Sequence, residues 1–172
     1  MQDTTSPDTG SITQPRSILF VCTGNICRSP TAEGVTHNAL VSIKKPHEFR
    51  LDSAGVDSHH IGQPPDPRSQ KIALQRGVDI SDLRARNVTQ DDFSRFDLIL
   101  AMDNTHLAAL THMMSTLPTN SVTAELALYL PYTGIAHHSD VPDPYYGNEA
   151  DFIDVFDLIN QATDGLIRKI IS

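Results

Sequence analysis

A cysteine, five intervening residues, an arginine and a serine run from Cys22 to Ser29 as CTGNICRS. The stretch follows a short apolar run, Ser17 to Val21, that reads as a buried strand. It precedes a helical stretch from Pro30 to about Leu40, with Ser29 as the expected N-cap and Pro30 at the first helical position. A loop between a strand end and a helix start aims several backbone N–H groups at one point, where the helix dipole adds positive potential. Gly24 is expected to supply backbone angles closed to other residues, and Asn25 tolerates a left-handed conformation. Such a loop makes a concave anion site. Arg28 adds a planar fork for two phosphate oxygens. The field that holds an anion also favours a thiolate at Cys22, which is then a nucleophile. Ser29 is placed to hydrogen-bond that sulfur. Thr23, Gly24, Asn25, Ile26, Cys27 and Ser29 are therefore candidate substrate contacts around Cys22 and Arg28. The bland alternative is a buried structural cysteine beside an incidental arginine.

The elements that must position this loop alternate along the chain. Phe49 to Ser53 reads as a second strand. Asp66-Pro67 to Arg76 reads as a helix stopped by Gly77. Thr89 to Arg95 reads as a short helix capped by Thr89, and Asp97 to Met102 as a buried strand. A helix from Thr105 to Met114 and a weak strand at Val122 to Leu126 follow. The last helix runs from Glu149 to about Ile170, with Phe152, Val155, Phe156, Ile159, Ala162, Leu166 and Ile170 at three- and four-residue spacing. Strands alternating with helices predict an α/β fold, a small three-layer sandwich with a central four-stranded parallel sheet. Ligands in such sheets bind beyond the carboxyl ends of the strands, which is where the Cys22 loop falls. Met1 to Arg16 is polar, holds one aliphatic residue, Ile12, and is expected to be a disordered tail. Residues 17–172 are expected to form one domain.

The 172-residue chain carries 13 basic and 21 acidic side chains, for a net charge of −8. That balance argues against a nucleic-acid surface. It leaves room for a small anionic substrate, because a nearby arginine outweighs distant charge. Two cysteines exclude a disulfide scaffold. No apolar run is long enough to cross a bilayer, and no secretory signal opens the chain, so no membrane insertion and a cytoplasmic location are expected. The eight histidines form no metal-binding pattern, and no cofactor signature occurs, so neither metal nor cofactor is expected.

Ile18 to Glu33, ILFVCTGNICRSPTAE, resembles the signature of the low-molecular-weight protein tyrosine phosphatases. The resemblance continues through Asp52-Ser-Ala-Gly55, Gly62 with Pro65-Asp66, Ala101-Met-Asp103 and Asp143-Pro-Tyr-Tyr-Gly147, with the long bacterial branch nearest. It implies a phosphocysteine mechanism: Cys22 as nucleophile, Arg28 and the loop amides on phosphate, and Asp143 as general acid and then base. Residue physics alone does not select Asp143 among 21 acidic side chains, although its stiff Pro-Asp-Pro turn and flanking aromatics would partly desolvate it. The resemblance further implies that Asn25 and Ser53 brace the loop. For Ser53, a plain strand-end serine is an equal reading. It implies that Cys27 pairs reversibly with Cys22, against a small apolar filler as the alternative. Tyr145 and Tyr146 are implied cleft walls, with Tyr145 favoured, or else rings packed at an edge. His59 and His60 stand in the segment that forms the opposite wall, which often carries a Trp in relatives. This chain has no Trp, so stacking there is weakened.

The implied partners are phosphotyrosine-containing proteins, a tyrosine kinase among them. Arsenate reduction in its usual form needs further cysteines after Cys27, and none follows. A protein arginine phosphatase of the same fold is the nearer alternative. Relatives of that type carry Thr where this chain has Ile26 and lack the paired tyrosines. A non-catalytic phosphate-binding module is the remaining alternative, disfavoured because Cys22 and Asp143 are both present.

Overall fold

The computed structural model describes residues 14–172. Most of the expected tail, residues 1–13, lies outside them. Arg16, at its end, is tied down: its N–H donates to Asp97 and its carbonyl accepts from Arg50.

Four strands, β1 (Ser17–Cys22), β2 (Arg50–Gly55), β3 (Leu98–Ala101) and β4 (Glu125–Leu128), form one parallel sheet in the order β2-β1-β3-β4. Side chains alternate across β1. Ile18 and Phe20 point into one core with Leu98 and Leu100, whereas Leu19 and Val21 point into the other with Ile99 and Ala101. The first face is covered by α1 (Arg28–Ser42), α2 (Pro67–Gln75), α5 (Tyr129–Tyr132) and α6 (Glu149–Ile171). The second is covered by α3 (Asp92–Arg95) and α4 (Asn104–Ser115). The three-layer α/β sandwich is thus the one expected. All seven spaced apolar residues named for the last helix are buried, and each of them larger than Ala162 contributes roughly 2 kcal/mol.

Local departures from expectation have local causes. Helix α1 begins at Arg28, two residues before Pro30, because Pro30 falls at a first-turn position where its missing N–H costs nothing. Ser29 is not the cap; its hydroxyl faces the Cys22 sulfur. Thr89 does not cap α3. The relation is reversed, with the Asp92 carboxylate accepting from the Thr89 N–H. Strand β4 lies at Glu125–Leu128 rather than at Val122 to Leu126, in register with Leu98–Ala101. Strand β2 runs on to Gly55, two residues past its expected end.

Gly165 lets α6 approach the rest of the fold. A Cβ there would stand 1.9 Å from the Thr133 carbonyl oxygen. Replacing a mid-helix glycine by alanine ordinarily gains about 1 kcal/mol, but overpacking against backbone costs about 1–3 kcal/mol. Gly165→Ala is therefore expected to lose up to about 2 kcal/mol net, read as a lower urea midpoint; a raised midpoint would show that Thr133 yields freely.

Candidate active site

The loop from Cys22 to Cys27 is fixed from below by β2 and its continuation. The Cys22 and Thr23 carbonyls accept from the Val56 and Asp57 N–H groups at 3.0 and 2.9 Å. Gly55 makes this approach possible, since a Cβ there would lie 2.6 Å from the Thr23 carbonyl oxygen. Asn25 takes the left-handed turn, with φ of 57°. Gly24 does not have positive φ; it is needed because a Cβ would stand 2.8 Å from the His60 ring.

A hydrogen-bonded chain starts at the Cys22 sulfur. Its Sγ lies 2.9 Å from the Ser29 Oγ. The Asn25 amide donates one N–H to Ser29 at 2.8 Å and the other to Ser53 at 2.9 Å. Its carbonyl accepts from the Arg86 N–H. Having accepted from Asn25, the Ser53 hydroxyl donates to Glu33 at 2.6 Å. Having accepted from Asn25, the Ser29 hydroxyl faces two acceptors, the Cys22 sulfur at 2.9 Å and the Ala54 carbonyl at 3.4 Å, of which sulfur is the nearer. Ser53 is therefore part of the network. Glu33 closes it at the far end, and nothing in sequence spacing marks that role. Burial pushes the Glu33 carboxyl up to about 7, Asp52 adding to the effect and the Ser53 and Arg86 contacts opposing it.

The two thiols differ. Both are free and buried. Burial, followed by the Asp66 carboxylate, pushes the Cys27 thiol up to about 12. Cys27 is thus held protonated, whereas Cys22 faces a hydroxyl donor.

Arg28 is 3% exposed. Its Nη1 donates to Asp103 Oδ2 at 2.8 Å and to the Val141 carbonyl at 2.9 Å. Its Nη2 donates to Thr23 Oγ1 at 3.2 Å. Asp103 also caps α4, its other oxygen accepting from the Thr105 and His106 N–H groups. Asp143 Oδ2 stands 3.7 Å from Arg28 Nη2. The Asp143 side chain is 45% exposed, so its aromatic neighbours desolvate it less than expected.

These groups share a cavity of about 530 Å³. Cys22, Thr23, Gly24, Ile26, Cys27 and Arg28 form its base and Asp143 stands at its mouth. One wall holds His59 and His60, and the other Tyr145 and Tyr146. The inner contact belongs to His60, which packs beside Gly24 and stands 6.3 Å from the Tyr145 ring. His59 is a rim residue whose ring meets Asp57. The Tyr145 ring also lies under Arg68, while Tyr146 is 92% exposed and meets Tyr145 edge-on. The cavity base can hold an oxyanion and the walls a flat side chain.

The parallel α/β sheet brings a cysteine, an arginine and an amide loop into one cavity beyond its strand ends, where sheets of this kind bind their ligands. Residues 17–172 match the family described as low molecular weight phosphotyrosine protein phosphatase. A chicken relative of that name is 40% identical over 155 residues, covering 90% of this chain and 95% of its own. A Bacillus subtilis relative, the low molecular weight protein-tyrosine-phosphatase YfkJ, is 35% identical over 154 residues, covering 90% and 95%. Among solved structures, a protein tyrosine phosphatase from Entamoeba histolytica has a TM-score of 0.82 at 36% identity, over 90% of this chain and 96% of its own. A Drosophila arginine phosphatase has a TM-score of 0.84 at 32% identity, over 90% and 98%. The chain belongs to the low molecular weight phosphotyrosine protein phosphatase family, and it is a hydrolase.

Sequence reasoning missed three contributors besides Glu33: the Asp103 clamp on Arg28, the His106 side chain and the Val141 carbonyl. Asp103 stood in a recognisable Ala-Met-Asp segment but showed only a capping signal. The other two arrive from distant chain and leave no local pattern.

Glu33 and His106 give stability opposite pH trends. Burial, then Arg28, pushes His106 down from 6.5 to about 4. Between those values the unfolded chain binds the extra proton, so stability from His106 rises with pH. Glu33 is raised from 4.5 to about 7. Between those values the folded chain holds the extra proton, so stability from Glu33 falls as pH rises. Glu33→Gln removes the second trend. Its urea midpoint is expected to gain on that of the wild type as pH goes from about 5 to about 8; a pH-independent gap would refute the assignment.

Proposed function

We propose that the chain is a protein tyrosine phosphatase working through a phosphocysteine intermediate. The observation that carries this reading is the single cavity that Cys22, Arg28 and Asp143 line together. The Cys22 thiolate attacks phosphorus, forming the S–P bond as the bond to the tyrosyl oxygen breaks. Asp143 gives its proton to that oxygen. Arg28 and the loop N–H groups of Thr23 to Cys27 hold the equatorial oxygens as charge develops on them. Asp143, now a carboxylate, takes a proton from water, which attacks phosphorus and releases the sulfur. The Ser29 hydroxyl, 2.9 Å from that sulfur, stabilises it as a leaving thiolate.

Residues 17–172 act as one phosphatase domain in this reading. The substrates are phosphotyrosine-containing proteins, a tyrosine kinase among them, because a cavity of about 530 Å³ takes an aryl phosphate whose length a phosphoserine lacks. No metal or cofactor takes part in these steps. A nucleophile that must stay a thiol suits the reducing cytoplasm.

The competing substrate is phosphoarginine, which similarity to the Drosophila arginine phosphatase brings forward. Ile26 at the base and Tyr145 on the wall favour the aryl group. Phosphate release from a phosphotyrosyl peptide and a phosphoarginyl protein, with reductant and chelator, separates the two. Turnover of phosphotyrosine is expected to vanish in Cys22→Ser. In Asp143→Asn it is expected to fall by about 100-fold or more, the usual contribution of a positioned proton donor. Preference for phosphoarginine would overturn the assigned substrate, and no turnover of either would make the chain a phosphate-binding module.

A further inference from the structure

We propose that His106 is a positioning residue which, through the Thr23 hydroxyl, orients the phosphate-facing edge of Arg28. The inference deepens the proposed function and rests on it. Four groups close a ring around the guanidinium. Arg28 Nη1 meets Asp103 Oδ2 at 2.8 Å. Asp103 Oδ1 lies 3.2 Å from His106 Nδ1. His106 Nε2 lies 2.7 Å from Thr23 Oγ1, and Thr23 Oγ1 accepts from Arg28 Nη2 at 3.2 Å.

The proton positions in this ring follow from the charges. His106 is 1% exposed, sits in the first turn of α4 and faces Arg28. Burial, the helix N-terminus and the arginine all disfavour an imidazolium. A neutral ring carries one N–H. On Nε2 it would leave the Nδ1 lone pair against the Asp103 carboxylate, which is repulsive. On Nδ1 it faces the carboxylate, in a charge contact set off the line of a hydrogen bond. Nε2 is then an acceptor, and the Thr23 hydroxyl must donate to it. The Thr23 proton is thereby taken away from Arg28, and its oxygen lone pairs are turned toward the guanidinium.

The consequence lies in the donor count of Arg28. A guanidinium has five N–H groups. Asp103 and the Val141 carbonyl take both on Nη1, and Thr23 takes one on Nη2. Nε has no acceptor among the described residues, so Nε and the second Nη2 proton remain as a two-pronged edge for phosphate. Without the imidazole, the Thr23 hydroxyl is free to turn its proton toward Arg28, and the guanidinium is free to pivot about Nη1. His106 touches no reacting atom and acts only through Thr23.

The test is the affinity for inorganic phosphate, read as competitive inhibition of aryl phosphate hydrolysis, with KM and kcat alongside. Thr23→Val keeps the shape and removes the hydroxyl, and is expected to weaken phosphate binding and raise KM by about tenfold, the worth of one hydrogen bond to a charged group. Thr23→Ser, which restores the hydroxyl, is expected to recover most of the phosphate affinity that Thr23→Val loses. His106→Leu should match Thr23→Val, and the double variant should be no worse than either single, because both break one linkage. His106→Gln should recover most of the affinity, since its amide oxygen reaches the Nε2 position. Unchanged phosphate affinity in Thr23→Val, or losses that multiply in the double variant, would overturn the proposal. Should His106→Leu not fold, the Val and Ser variants of the exposed Thr23 decide alone. A wild type that turns over phosphotyrosine while Thr23→Val is indifferent refutes this inference only. A wild type that neither turns over substrate nor binds phosphate refutes the proposed function itself.

Discussion

A guanidinium buried to 3% exposure is the constraint around which the site is built. Taking such a charge out of water costs several kcal/mol unless partners replace its hydration. Arg28 finds them on three separate parts of the chain: the Asp103 carboxylate where β3 gives way to α4, the Val141 carbonyl, and the Thr23 hydroxyl in its own loop. Val141 is itself held by its N–H on the Met102 carbonyl, one residue past β3. The charge is therefore satisfied only when β1, β3 and the segment leading to Asp143 have assembled. The same contacts that make Arg28 tolerable bring Asp143 within 3.7 Å of it.

The helix that carries Arg28 is open at its start. α2, α4 and α6 are capped by the side chains of Asp66, Asp103 and Asn148. The Cys27 position at the start of α1 makes no side-chain cap and has no acidic residue in the turn that follows. Its first N–H groups are left for an anion. Ser29, the residue best suited by type to cap this helix, is spent on sulfur. Both cysteines are packed in the same core and differ in their neighbours: burial and the Asp66 carboxylate hold Cys27 protonated, while the Cys22 sulfur faces the Ser29 hydroxyl.

Much of this was legible before the fold was known, and what was not has a common cause. The alternation of short apolar runs with capped helices gave the parallel sheet, and the Cys22–Arg28 spacing gave the cradle, because both are encoded within a dozen residues of chain. Boundaries slipped where a side chain had a second use. Ser29 reads as a cap and serves the sulfur, Thr89 reads as a cap and is itself held by Asp92, and Gly24 reads as a turn glycine while making room for His60. The contacts that complete the site, from Glu33 to Ser53 and from His106 to Thr23, join residues 20 and 83 positions apart. No periodicity records such pairings. A glutamate on a helix and a histidine in a first turn carry no mark of which distant hydroxyl they will meet.

The division between base and walls has a functional meaning. The base of the cavity comes from the end of β1 and the start of α1, with Arg28 clamped by Asp103, and it is fixed by backbone hydrogen bonds and buried charge. The walls come from loops, His60 on one side and Tyr145 on the other, held by ring contacts at 6.3 Å and by an arginine over a ring rather than by the sheet. The side-chain chain from Cys22 through Ser29, Asn25 and Ser53 to Glu33 does not pass through the His60 and Tyr145 rings, although the loops' inner ends, at Asp57 and Val141, do hold Thr23 and Arg28. On the proposed function, the phosphate chemistry falls to the base, and the choice of the group that bears the phosphate falls to a few side chains: Ile26 at the base and the His60 and Tyr145 rings above it. A guanidino group would need an acceptor, and the two carboxylates that line the cavity are both already engaged, Asp143 facing Arg28 and Asp57 meeting the His59 ring.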